Sequence, residues 1–192
     1  MKTSIRNLST AMKISILLGL LTLPLSAGAN DTVVDGKSLK HLGEGLREFL
    51  FIDIYKMNAY SESGLCTPND IVYKNETKML TLTMIREIPK DRLTDNLKST
   101  FEDNLPQKGD VEGLKKKIDT FLAMFKKDLT AGTNVDIIYS PGKGTMIREK
   151  GRQIGQTTPG KDFAELVWRS YFGGNTCCKS LKSSIISSCK SK

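Results

Sequence analysis

Between Lys78 and Glu87 the chain alternates: Leu80, Leu82 and Met84 fall on one side, Thr81 and Thr83 on the other. A period of two predicts a half-buried strand. The same period returns at Val135, Ile137 and Tyr139, and shorter runs suited to strands stand at Thr32–Val34, Thr145–Glu149 and Arg152–Gly155. Asp35-Gly36 and Lys150-Gly151 are tight-turn signals beside them. Leu39 to Tyr60 is rich in aromatic and β-favouring residues and reads as two strands or one long bent strand. Ser61 to Asp70, with Cys66 and Pro68, reads as a loop.

Elsewhere the period lengthens. Leu93, Leu97, Phe101 and Leu105 repeat every four residues between Pro89 and Pro106 and predict one helix stripe. Val111, Leu114, Ile118, Phe121, Leu122 and Phe125 predict a second, amphipathic helix. Asp162 and Glu165 form a capping pattern ahead of Phe163, Leu166, Val167 and Tyr171. A short helix carrying Leu181, Ile185 and Ile186 closes the chain. The order is strands, two helices, strands, two helices.

The first segment has a different character. Lys2, Arg6 and Lys13 precede the apolar run Ile14–Leu25, and Ser26-Ala27-Gly28-Ala29 ends it. This is the pattern of a secretory signal peptide, residues 1–29, cut after Ala29. The run is short of the roughly 20 residues a membrane span needs. Met12 is an alternative start, because Met12-Lys13 opens a complete signal. The leader has a bacterial look, so the expected destination is the periplasm. One domain, residues 30–192, remains.

Composition narrows the chemistry. The chain is 192 residues, 39% hydrophobic and 26% charged, an ordinary globular make-up. Three of its +8 charges belong to the leader, and the remaining excess does not call for nucleic acid. A single histidine, His41, excludes zinc sites built on two histidines. As a lone histidine it is expected to be structural or exposed. Gly142-Lys-Gly-Thr145 lacks the upstream glycine and following helix of a phosphate-binding loop. The Lys115–Lys117 run and Lys126-Lys127 fall on the wet side of their helix. They read first as a solvated face, and second as a patch for transient contact with a membrane surface.

The tract Tyr139-Ser-Pro-Gly-Lys-Gly-Thr145, then Gly155, Pro159-Gly-Lys-Asp-Phe-Ala164 and Trp168 to Phe172-Gly173, follows Gly43-Glu-Gly-Leu-Arg47, Ile54-Tyr55 and Met84-Ile-Arg86. In order and spacing this resembles the bacterial exported chalcone isomerase-like proteins, over roughly Val33 to Ile186. The usual tail proline is missing, and Cys177-Cys178 stand near its place. The resemblance implies an α+β fold, an open-faced β-sandwich of the chalcone isomerase type. In it an antiparallel sheet is covered by helices, with a ligand cleft between the two layers.

The resemblance also bears on activity. Plant chalcone isomerases use a tyrosine, a lysine and an asparagine after a Val-Thr-Met-like strand. Counted from Leu82-Thr83-Met84, those positions fall near Leu93, Asn96 and Thr100, and none matches. No catalytic residues are therefore assigned, and no cofactor or metal is implied. A second branch of the superfamily binds fatty acids through an arginine and a tyrosine about a dozen residues apart. Arg47 and Tyr55 are the matching positions here, at a spacing of eight. A guanidinium gives a paired contact to a carboxylate, and a phenol adds a donor.

On one straight strand Arg47 and Tyr55 would stand about 26 Å apart. They converge only if the chain turns between them, and Glu48 to Leu50 carries no glycine or proline. Arg86, continuing the apolar face of Leu80, Leu82 and Met84, is the third candidate; its partner would be a ligand anion, Asp53 or Glu87. The expected function is non-catalytic binding of a small amphipathic carboxylate such as a fatty acid. The alternatives are an isomerase or lyase of the same fold, and a partner-binding protein with no cleft. The four cysteines are Cys66, Cys177, Cys178 and Cys189. Cys177 and Cys178, being adjacent, are not expected to bond each other. A bridge from one of them to Cys189 would staple the C-terminal tail and Cys66 could pair with the other; three pairings are open, and a free or intermolecular thiol is the alternative.

Overall fold

The computed structural model describes residues 31–191, so the expected leader lies outside the described residues. Seven strands pair antiparallel in sequence order: β1 (Thr32–Val34), β2 (Lys37–Phe49), β3 (Ile52–Ser61), β4 (Lys78–Met84), β5 (Asn134–Ser140), β6 (Gly144–Glu149) and β7 (Arg152–Thr158). The helices are α1 (Pro68–Tyr73), α2 (Lys90–Glu102), α3 (Val111–Leu122), α4 (Lys161–Phe172) and α5 (Lys179–Lys190). This is an α+β fold with one meandering sheet. Among the described residues no helix is long and apolar enough to cross a membrane.

The alternation fixes which face is covered. Gly43, Ala59, Leu80, Ile137 and Ile147 share one row across the sheet, and Gly45, Met57, Leu82 and Val135 share the next. The helices supply the opposing layer, with Phe101, Phe121 and Phe163 meeting at ring separations of 5.1–6.2 Å. Such tilted and edge contacts add to the burial of the rings themselves. Beneath the sheet, Val34, Leu39, Met79, Ile138 and Met146 form a smaller second core.

Helix α5 returns across the whole molecule to lie on β2. Its approach depends on two glycines. A Cβ at Gly43 would stand 2.7 Å from the Ile185 carbonyl oxygen, and one at Gly45 would stand 2.6 Å from that of Leu181. The end of α5 is stapled by a Cys66–Cys189 disulfide, with Cα atoms 5.6 Å apart. Cys177 and Cys178 bond each other, which corrects the expectation that adjacent cysteines would not, and leaves neither of them to reach Cys189 or Cys66. With Cys66 taken by Cys189, the adjacent pair at the head of α5 has only itself as partner.

Three of the connections are two-residue hairpin turns whose central residues both have positive φ. Asp35-Gly36 (51° and 78°) and Lys150-Gly151 (50° and 77°) sit where the sequence puts them. The third, Leu50-Phe51 (49° and 65°), divides Leu39–Tyr60 into β2 and β3 with no glycine at all. Two smaller corrections concern helix starts. Part of the expected Ser61–Asp70 loop is the head of α1, where the Thr67 hydroxyl accepts the Asp70 N–H and Pro68 takes the first turn. The capping pattern at Asp162 and Glu165 is not formed. Those carboxylates pair instead with Lys117 (2.7 Å) and Lys161 (2.9 Å).

Candidate functional site

The Leu50-Phe51 turn folds β3 back on β2 and sets Arg47 directly opposite Tyr55. The next partner in the same row is Met84 of β4. The separation that a straight strand would impose is thus removed by a turn the sequence does not signal. Both side chains are half-buried. Arg47 Nη1 donates to the carbonyl of Cys177 at 3.0 Å, which anchors the guanidinium under the turn into α5. Among the described residues Arg47 has no carboxylate within ion-pair distance. Most of its five N–H donors therefore stay uncommitted.

A third residue joins this pair from above. Tyr171, buried on α4, lies close enough to Tyr55 for each phenol to influence the other. Burial holds the Tyr55 phenol well above its usual range; Tyr171 raises it further and the Arg47 charge opposes the shift. Burial also raises Tyr171, while its interaction with Tyr55 and the Arg47 charge pull the other way. A cation and two neutral phenols thus stand together at this end of the sheet. In the sequence Tyr171 reads as part of a core stripe, and nothing local marks it as a site residue.

Arg86 does not join them. β4 ends at Met84, and Arg86 lies exposed beyond it, with Nε donating to the Asp53 carbonyl at 2.9 Å. The apolar alternation that suggested a buried arginine stops because the backbone leaves the sheet. His41 is part-buried, and its Nε2 lies 2.7 Å from Asn58 Oδ1. Among the described residues no cluster of histidine, cysteine, aspartate or glutamate could hold a metal ion.

At the opposite edge of the sheet an open groove of 810 Å³ separates the end of α3 from the β6–β7 hairpin. Met124 and Ile154 line it, and Lys126, Lys127, Lys150 and Arg152 surround it. This groove does not reach Arg47, so the Arg47 cluster and the groove are separate features.

A meandering antiparallel sheet with helices on one face and an Arg-Tyr pair at its first long hairpin defines an architecture with known relatives. The chain belongs to the chalcone isomerase-like family, whose pattern matches residues 27–187. Among solved structures it is similar to a fatty-acid binding protein of Arabidopsis thaliana. The two share 14% identity and a TM-score of 0.65, over 83% of this chain and 98% of that one. No curated protein matches the sequence.

Proposed function

We propose that this protein binds a fatty acid or similar amphipathic carboxylate without chemical turnover, and that it does so in the periplasm after removal of residues 1–29. The observation that carries this reading is Arg47. It is a half-buried guanidinium, set opposite Tyr55, that no carboxylate of the described chain neutralises. A partly desolvated guanidinium with donors to spare suits an anionic head group. The Arg47 fork would take the carboxylate oxygens, and a phenolic hydroxyl of Tyr171 or Tyr55 would add a further donor. The tail would run beneath α2, whose Leu93 and Leu97 are only half-buried. Family membership and the likeness to a fatty-acid binding protein support the ligand class. The absence of the plant isomerase pattern at Leu93, Asn96 and Thr100 supports a role without catalysis.

The test is displacement of a fluorescent fatty acid from the mature protein. Charge-assisted hydrogen bonds are worth roughly 1.5–3 kcal/mol, so Arg47→Met should weaken binding by about 10- to 150-fold. Tyr171→Phe should weaken it by only a few-fold. Unaltered affinity in Arg47→Met, or no binding by the parent protein, would overturn the proposal.

A further inference from the structure

We infer that the β2–β3 hairpin tip is a bilayer-docking element, which partitions the protein onto anionic lipid surfaces. Phe49, Leu50, Phe51 and Ile52 are consecutive and exposed at 58, 73, 100 and 41%. Four exposed apolar side chains on one projecting turn are not the scattered singles of an ordinary surface. Leu50 and Phe51 also hold left-handed backbone, which bulky residues avoid. The tip thus keeps two large side chains pointing into solvent where Asn-Gly would make the same turn without strain.

The tip's position suits a membrane. The row Arg47–Tyr55–Met84 ends the covered part of the sheet, and the hairpin continues beyond it through Glu48↔Asp53 and Phe49↔Ile52 to the turn. That overhang is about 10 Å at 3.3 Å per residue, comparable with the ~5–10 Å to which interfacial apolar groups enter a bilayer. Exposed Glu48 and Asp53 sit at its base and limit entry to the four apolar residues. The strands alternate in direction, so the β6–β7 turn lies at the same end of the sheet, roughly 15–20 Å away across the strands. There Lys126, Lys127, Lys150 and Arg152 gather around the groove. Of the acids among them, Glu149 is paired with Lys127 at 3.0 Å, and Asp128 accepts the Lys90 N–H. One apolar point and one basic patch on a common end complement a surface that is greasy within and negatively charged outside. A protein partner is the poorer fit, since four side chains on one turn offer less than the ~800 Å² that each partner of a stable complex buries.

The test is co-sedimentation of the mature protein with vesicles of phosphatidylethanolamine and phosphatidylglycerol, and with vesicles of phosphatidylcholine alone. The parent protein should partition onto the first and more weakly onto the second. Leu50→Asn with Phe51→Gly should retain the fold and reduce partitioning roughly ten-fold or more on both. Lys150→Glu with Arg152→Glu should reduce it on the anionic vesicles only. The tip variant should still bind a soluble fluorescent fatty acid, and Arg47→Met should still bind vesicles, so the ligand reading and this one fail separately. The inference is overturned if the parent protein stays in the supernatant with both vesicle types, or if the tip variant partitions as well as the parent. It is also overturned if ultracentrifugation shows a dimer that the tip variant dissolves, because the tip would then be covered by a second copy.

Discussion

The Lys78 ammonium sits 5.0 Å over the Trp168 ring and donates to the carbonyls of Ile71 (2.9 Å) and Val72 (2.7 Å), closing the end of α1. Burial lowers its pKa to about 8, against the opposing pull of Glu76 and Glu165. The folded protein therefore holds this proton less tightly than the unfolded chain, where the value is 10.5. Stability from this group is lowest below pH 8, rises between pH 8 and 10.5, and levels off above. The full difference is on the order of 3 kcal/mol. Urea midpoints should rise from pH 7.5 to 9.5 in the parent protein, and Lys78→Met should remove most of that rise. A flat parent profile would show that Lys78 keeps an ordinary affinity for its proton.

Gly45 decides how closely α5 can lie on β2. Gly45→Ala drives a methyl towards the Leu181 carbonyl and should cost about 1–3 kcal/mol in chemical denaturation. It should also lower fatty-acid affinity by tilting the turn that carries the Cys177 carbonyl. Full stability would mean that α5 gives way freely.

The Cys66–Cys189 bridge spans 123 residues of sequence. In the chain-entropy view a loop of that size is worth about 4–5 kcal/mol. Cys66→Ser with Cys189→Ser should lower the thermal midpoint markedly in oxidised protein. Cys177→Ser with Cys178→Ser, which closes no loop, should change it little. Calorimetry of both double variants under oxidising and reducing conditions separates the two.

The Leu50-Phe51 turn should respond in the other direction. Left-handed backbone costs L-residues roughly 1–2 kcal/mol each. Leu50→Asn with Phe51→Gly should therefore raise the denaturation midpoint by the equivalent of about 1–2 kcal/mol. A destabilised variant would mean that the two exposed side chains make contacts that offset their strain.

The same turn marks where the sequence stops being legible. The hairpins at Asp35-Gly36 and Lys150-Gly151 are readable because glycine takes positive φ without cost. Leu50-Phe51 breaks that rule, so the register placing Arg47 opposite Tyr55 is hidden even though both residues stand out by family resemblance. The alternation in β4 and the stripes of α3 and α4 are legible because burial enforces them; in α2 only Phe101 of the stripe is buried, and Leu105 lies beyond the helix. Tyr171 is missed because a helix stripe cannot distinguish an ordinary core phenol from one that stands beside Tyr55. The apolar alternation of β4 misleads at Arg86, since side-chain periodicity carries no mark of where the backbone leaves the sheet.

The hydrogen bond from Arg47 ends on a carbonyl 130 residues further along the chain. That carbonyl sits in the turn that follows α4, so an arginine of the second strand is aimed by backbone laid down after all seven strands and four of the helices. The pose of Arg47 is in this sense decided late in the chain, by a latch far from the strand it steadies.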